Sequence, residues 1–332
     1  MDLNLTEDQR ALQIGLRNFL KSVYNADRMR ELADHEIAES AGMPAGVERD
    51  WRSLAELGVF AVGAPESVGG MGLGMADSVI LAEELGAALV PGPLVPSLLA
   101  AGHIDGVLEG ESVVATLDLR SPVLVVENLD RATHVVIVDD DGLHVVAPEA
   151  LSATRLSRPL DPLTPMSAVV VDPGALASGE RIGGPAEALD WTRKGEVLTA
   201  ALQIGVARGA LDLAVRYAGE RSQFGRVIGG FQAIKHLLAE SLARVTIARP
   251  TVLVAALSID DPEVGSAGVD VSAARIIAGE AAGLNGRCCV QVHGGMGFTW
   301  EVLAHLYLKR AWLLETSFGS VGSHCDKLAR TI

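Results

Sequence analysis

Apolar positions along the chain change their rhythm twice. Over 6–33 they recur at helical spacing, with Leu12, Leu16, Phe19 and Leu20 forming one stripe. Thr6 and Gln9 make a capping-box pattern at its start, so this segment is predicted as a helix or helix pair. A polar loop is expected over 34–47, then a helix over 48–57 closed by Gly58. Pro65, Gly69, Gly70, Gly72 and Gly74 mark a long turn, and an apolar helix over 75–89 is stopped and redirected by Pro91, Pro93 and Pro96. Between 112 and 182 the pattern becomes short β-branched runs at 113–117, 123–126, 134–138, 143–146 and 168–171, bounded by Asp, Gly, Pro and Asn. Asp141-Gly142 is a hairpin signal, and the unit is expected to be mostly antiparallel. From Pro185 helical spacing returns over 186–220, 231–257, 269–292 and 304–314. The expected fold is therefore α+β and mostly α. It comprises an N-terminal helical domain (1–108), a small middle β-barrel or sandwich domain (109–184) and a C-terminal four-helix bundle (185–332).

Composition narrows what such a chain can do. Of the 332 residues 49% are hydrophobic, yet no run approaches the roughly 20 apolar residues of a membrane helix, so helix–helix burial or subunit contact is expected and no membrane association. The formal net charge of −15 disfavours binding to nucleic acid or to an anionic membrane surface. Cys288, Cys289 and Cys325 show neither a disulfide frame nor zinc-ligand spacing, and no metal site is expected. The acidic N-terminus lacks a signal segment, which points to the cytoplasm.

The most distinctive stretch is 291–301, Gln-Val-His-Gly-Gly-Met-Gly-Phe-Thr-Trp-Glu. Its glycines follow a predicted helix rather than a strand, which excludes a Rossmann phosphate loop. Two readings stay open on the motif alone. Successive N–H groups in a Gly turn bind anions such as a pyrophosphate, and glycines also let a helix–helix loop pack closely.

Four motifs then occur in order. They are Trp51 to Gly74 followed by Leu81-Ala82-Glu83-Glu84-Leu85-Gly86; Tyr217 to Gly225 continuing into Phe231 to His236; the Gln291 loop; and His305 to Ala311. With the α–β–α order they resemble the acyl-CoA dehydrogenase family across nearly the whole chain. That resemblance implies FAD lying across a subunit interface, an acyl-CoA substrate, and electron-transfer flavoprotein as acceptor. It assigns Arg221 to the pyrophosphate, for which a guanidinium fork is well shaped. Ser222, Gln223 and Phe224 would complete that turn, with Gln232 and His236 on the same helix face. Gln291, Val292, Gly294 and Gly295 would hold the adenosine–pyrophosphate side.

The departures from the family pattern are as informative. The family removes an α-proton with a carboxylate base, and alignment puts Phe318, before Gly319, at its usual place. The place a minority of members use falls on Gly195, next to Glu196. Glu196 and Glu315 are the weak candidates for a base, each more readily read as a solvated or capping charge. In the β unit roughly twenty to thirty residues of the ring-holding stretch look deleted, more than surface-loop variation explains, and none of the four tryptophans lies there. The resemblance is thus to the short, non-catalytic subunit of the α2β2 dehydrogenases that actinobacteria use on steroid side-chain CoA thioesters. Such a subunit would lend ADP-binding loops to a homologous catalytic partner. The alternatives are a self-sufficient homomeric dehydrogenase using Glu196 or Glu315, and a non-catalytic acyl-CoA- or FAD-binding interaction protein.

Overall fold

A computed structural model describes residues 3–37, 46–171 and 179–331. The chain divides into two compact units that do not follow chain order. One comprises 1–31, 75–90 and 196–332, the other 32–74 and 91–195.

Local chemistry explains most of the N-terminal elements. Helix α1 (Glu7–Val23) begins with the capping box: the Gln9 amide donates to Thr6 Oγ1 at 3.2 Å, and the Thr6 amide donates to Gln9 Oε1 at 3.0 Å. Helix α2 (Ala26–Ile37) runs past the expected loop start at 34, and the rest of that loop, 38–45, lies outside the described residues. Helix α3 (Val47–Glu56) closes with Gly58 at φ 77°. There the Gly58 amide reaches the Ala55 carbonyl and Val59 that of Leu54, the paired bonds of a Schellman motif. Helix α4 spans Met75–Ala87. The prolines that follow redirect the chain but do not leave it irregular: helix α5 (Leu94–Ala100) carries Pro96 in its first turn, where a missing N–H breaks no helical bond.

The β unit is a sandwich. Strands β1 (Val114–Asp118), β3 (His134–Val138), β4 (Leu143–Val146) and β7 (Glu180–Gly183) form one sheet in the order β1-β3-β4-β7. Strands β2 (Val125–Glu127), β5 (Ser152–Arg155) and β6 (Met166–Val170) form the other, ordered β2-β6-β5. Leu117, Val126, Ile137, Val146 and Val169 come from both sheets into one core. β3 and β4 make the hairpin signalled by Asp141-Gly142, while β1 and β3 pair in parallel. The link from β1 to β2 is only 119–124, and Arg120 folds back on Asp118 within it at 2.8 Å. β5 and β7 were not expected, because both are edge strands with polar residues where a buried strand would alternate.

In the other unit the four expected bundle helices are present as α6 (Pro185–Glu220, from Glu196 onward in this unit), α7 (Gln232–Asp260), α8 (Ala267–His293) and α9 (Ala304–Thr316). A fifth, α10 (Val321–Thr331), joins them, its sequence too polar to announce a buried face. Contrary to the expectation from apolar runs, α6 and α7 are long and apolar enough to cross a membrane by length and composition, with 83% and 39% of their most apolar windows buried in the fold.

Glycine sets the spacing of α4 against α6. A Cβ on Gly86 would run into the Leu202 carbonyl, and one on Gly205 into the Glu83 carbonyl. The close approach buries Glu83 and Glu84, at 3% and 2% exposure, among three arginines. Arg208 reaches Glu83 at 3.2 Å and Glu84 at 2.8 Å, and Arg249 reaches Glu83 at 2.9 Å. Arg17 grips both Glu84 oxygens, at 2.9 and 2.7 Å, and Gln13 adds a bond at 2.9 Å. Burial holds the Glu83 carboxyl above its ordinary range despite Arg249 and Arg208. Burial pushes Glu84 the same way, but Arg17 and Arg208 together outweigh it and hold that carboxyl low.

Removing one member of this network strands the others. Glu84→Ala is expected to lower stability by about 3–5 kcal/mol. Asp27→Ala breaks only the 2.6 Å pair with Arg30, in which the Asp27 side chain is 90% exposed, and should stay within about 0.5 kcal/mol of wild type. Urea unfolding of the two variants measures the contrast; similar losses would mean the buried network carries no special weight.

Candidate functional site

Helix α6 ends at Glu220, and the chain turns at once into a minimal hairpin. Strands β8 (Ser222–Gln223) and β9 (Arg226–Val227) pair Ser222 with Val227 and Gln223 with Arg226, and the Ile228 amide donates to the Arg221 carbonyl at 2.8 Å. Phe224 and Gly225 form the tip with φ of 51° and 78°, the signature of a type I′ turn. Phe224 is 91% exposed, unusual for an aromatic held in the left-handed region. Arg221, Ser222 and Gln223 are exposed as well, and Arg221 makes no ion pair among the described residues. Helix α7 starts after a short 3-10 turn (Ile228–Gly230) that follows the hairpin, and it has no side-chain cap, so its first amides remain available to an anion. Gln232 and His236 are exposed one turn apart on it.

The second loop follows α8 as the 3-10 turn Gly294–Phe298. Gly294 has φ 61° and ψ −139°, a conformation reserved for glycine. Gly297 packs against Val290, where a Cβ would come 2.6 Å from the carbonyl oxygen. Gly295 is different: its backbone does not need glycine, and a Cβ there would meet nothing within 4 Å. Gln291, Gly294 and Gly295 are exposed, whereas the Val292 side chain is buried.

Side chains tie the two loops together. Tyr217, one turn before Arg221, stacks on His293 with ring centroids 4.2 Å apart, and its hydroxyl lies 3.7 Å from Met296 Sδ. Cys288 Sγ approaches the Leu237 carbonyl at 3.7 Å, setting the start of α7 beside the end of α8. His293 Nδ1 is 2.7 Å from the Cys289 carbonyl, and burial together with Arg216 holds the ring below its ordinary pKa. A neutral ring bonded in this way carries its proton on Nδ1. Burial also pushes the Cys289 thiol up to about 12, which leaves it protonated and inert. The exposed guanidinium, the uncapped helix start and the open side of Gly295 together suit an anion approached by backbone, and they fit the diphosphate of FAD.

The residues considered for a base lie elsewhere in the same unit. Glu196 is buried rather than solvated: Lys327 Nζ sits 2.6 Å from its Oε1, and His324 Nε2 3.8 Å. Glu315 is exposed in the last turn of α9. Phe318 and Gly319 form a turn with φ of 53° and 96°. The fully buried Arg275 holds this region from α8, donating to the carbonyls of Leu314 (3.1 Å), Ser317 (2.8 Å) and Gly319 (2.8 Å), and to Gln203 Oε1 at 2.7 Å. Burial lowers its pKa to about 10 against the pull of Glu196 and Glu315, so it stays charged at neutral pH. Burial, Lys327 and Arg275 hold His324 at about 4, hence neutral.

Comparison with known proteins shows the family. The acyl-CoA dehydrogenase N-terminal domain matches residues 6–106 and the C-terminal domain residues 186–332. Acyl-CoA dehydrogenase IpdE2 of Mycolicibacterium smegmatis is 36% identical over 269 residues, covering 79% of this chain and 80% of IpdE2. The chain belongs to the acyl-CoA dehydrogenase family. Acyl-CoA dehydrogenase FadE34 of Mycobacterium tuberculosis is 35% identical over 85% of the chain, which spans only 42% of FadE34's length. Among solved structures, a variant of the Tcur3481–Tcur3483 steroid ACAD shares the fold with a TM-score of 0.81, at 24% identity and with 98% and 97% of the two chains covered.

For this acyl-CoA dehydrogenase chain, sequence reading overlooked Arg275, Lys327 and the Tyr217–His293 stack. An arginine within the apolar run Ala273-Ala274-Arg275-Ile276-Ile277 was the available signal, since a charge there must be buried and paired.

His324 makes the turn region acid-sensitive. Its folded pKa lies below that of the unfolded chain, so the unfolded state takes up a proton first as pH falls. Stability is therefore full above about pH 6.5 and declines towards pH 4, by up to roughly 3 kcal/mol. Thermal midpoints of wild type and His324→Gln over this range test it; an unchanged slope in the variant would acquit His324.

Proposed function

We propose that this chain is a subunit of a heteromeric, FAD-dependent acyl-CoA dehydrogenase that desaturates the α,β bond of an acyl-CoA thioester. Its Arg221 hairpin and Gly294-Gly295 turn hold the ADP half of a cofactor whose reactive ring belongs to a homologous catalytic partner in an α2β2 assembly. When bound, FAD supplies the hydride acceptor. Arg221 orients the pyrophosphate by a forked, charge-assisted contact. Ser222, Gln223 and Phe224 shape the turn beside it, Gln232 and His236 line the adjoining helix face, and Gln291 with the backbone at Val292, Gly294 and Gly295 closes the adenosine side. The proton at the substrate α-carbon is the partner's to remove.

One observation carries this reading. Phe318, at the place the resemblance assigns to the family's base, lies in a turn clamped by Arg275, while the Arg221 hairpin and the Gly294–Phe298 turn stand exposed in the same chain. The short β1–β2 link supports it, since residues 119–124 leave little chain to cradle a flavin ring. A homomeric enzyme using Glu196 is disfavoured by the 2.6 Å pair with Lys327, which engages that carboxylate inside the fold. Glu315 stands exposed at the end of α9, with no hydrogen bond or ion pair to orient it among the described residues. The steroid side-chain class of substrate draws on the motif resemblance and on the shared fold of the Tcur3481–Tcur3483 steroid ACAD. Electron-transfer flavoprotein as acceptor and a cytoplasmic location complete the proposal.

Co-expression with a catalytic acyl-CoA dehydrogenase chain should give a complex with one FAD per heterodimer and acyl-CoA oxidation that the lone chain lacks. Native mass spectrometry counts chains and flavins together. Stoichiometric FAD and turnover in the lone chain would overturn the proposal, and a complex that binds acyl-CoA without flavin would indicate a binding protein. Arg221→Ala in the complex should cut retained FAD about tenfold or more.

A further inference from the structure

The geometry points to Arg226 as a second guanidinium on the diphosphate, a binding residue that neither the motif nor the family resemblance singled out. The inference rests on the FAD reading above and extends it to a residue on the far strand of the hairpin.

Strand pairing sets the stage. In a two-residue hairpin, directly opposed residues share a face, and so do residues two apart on one strand. Gln223 opposes Arg226, and Arg221 opposes Ile228 through its carbonyl. Arg221, Gln223 and Arg226 therefore lie on one face, with Ser222 and Val227 on the other. Two cations and an amide share a face only a few residues across, on a chain whose net charge is −15. A dinucleotide diphosphate carries two negative charges, one on each phosphate, which one guanidinium cannot neutralise.

Arg226 is also held in place before any ligand arrives. Its guanidinium carbon sits 4.1 Å from the Phe231 ring centroid, and Phe224 packs edge-on against that ring at 6.2 Å and 89°. A guanidinium stacked on an aromatic face keeps its in-plane N–H donors pointing outward at the edge. The stack thus removes side-chain freedom in advance without using the donors. Phe231 immediately precedes α7, so the stacked cation lies beside that helix's uncapped first turn. Arg226 makes no ion pair among the described residues.

The experiment uses the assembled complex, stripped of flavin, with FAD, ADP and adenosine titrated calorimetrically. Arg226→Gln should weaken FAD and ADP about tenfold or more while changing adenosine less than about twofold. Arg226→Lys keeps the charge but loses the fork and should fall between wild type and Gln. Equal losses for ADP and adenosine would reduce Arg226 to a packing role and overturn the inference, as would unchanged affinities in both variants. If Arg226→Gln does not assemble, Arg226→Lys decides: ADP weakened more than adenosine supports the inference, and parity defeats it. Wild-type complex that binds neither FAD nor ADP defeats the FAD reading itself, an outcome separate from a failure of Arg226 alone.

Discussion

Two adjacent carboxylates inside a helix bundle are tolerable only if cations surround them, and the unit containing 196–332 is arranged around that requirement. Glu83 and Glu84 sit on α4, while their guanidinium partners come from α1 (Arg17), α6 (Arg208) and α7 (Arg249). Each pair needs good geometry because desolvation of a buried ion costs several kcal/mol. Four helices are thereby committed to one mutual arrangement. Gly86 and Gly205 permit it by letting two backbones touch, so the motif Leu81-Ala82-Glu83-Glu84-Leu85-Gly86 encodes charge placement and contact distance together.

The same device recurs within the unit with different partners. Arg275 satisfies three carbonyls left over where α9 ends and the chain turns through Phe318 and Gly319. Phe318 pays a left-handed backbone there, which the clamp over-determines. Lys327 meanwhile returns from α10 to neutralise Glu196. The turn through Phe318 is thus an internally satisfied piece of structure. The charges nearest to it serve folding.

Much of the fold was readable because its causes are local. The Thr6–Gln9 capping box, the Gly58 helix stop and the Asp141-Gly142 hairpin are each fixed within a few residues. Edge strands β5 and β7 were not readable, since a strand paired on one side needs no buried alternation. Helix α5 is hard to read from sequence because a proline signals a stop, yet in a first turn it is compatible with a start. Sequence alone makes Glu196 a solvated or capping charge, because its partner Lys327 lies 131 residues away, and no spacing rule reaches that far. The candidate loops were legible as motifs. Their union through Tyr217, His293 and Met296, and the shared face of Arg221 and Arg226, exist only once the chain is folded.

Gly295 separates two kinds of constraint that most positions mix. Gly294 is demanded by its backbone and Gly297 by its neighbour, so a larger residue at either would be penalised in the isolated chain. At Gly295 the chain exacts no such penalty: the backbone accepts a side chain and the space beside it is open. Whatever intolerance that position has must come from another molecule. One methyl group at 295 is thus a ruler held against the outside world, blind to folding and sensitive to anything that comes within van der Waals reach of the turn.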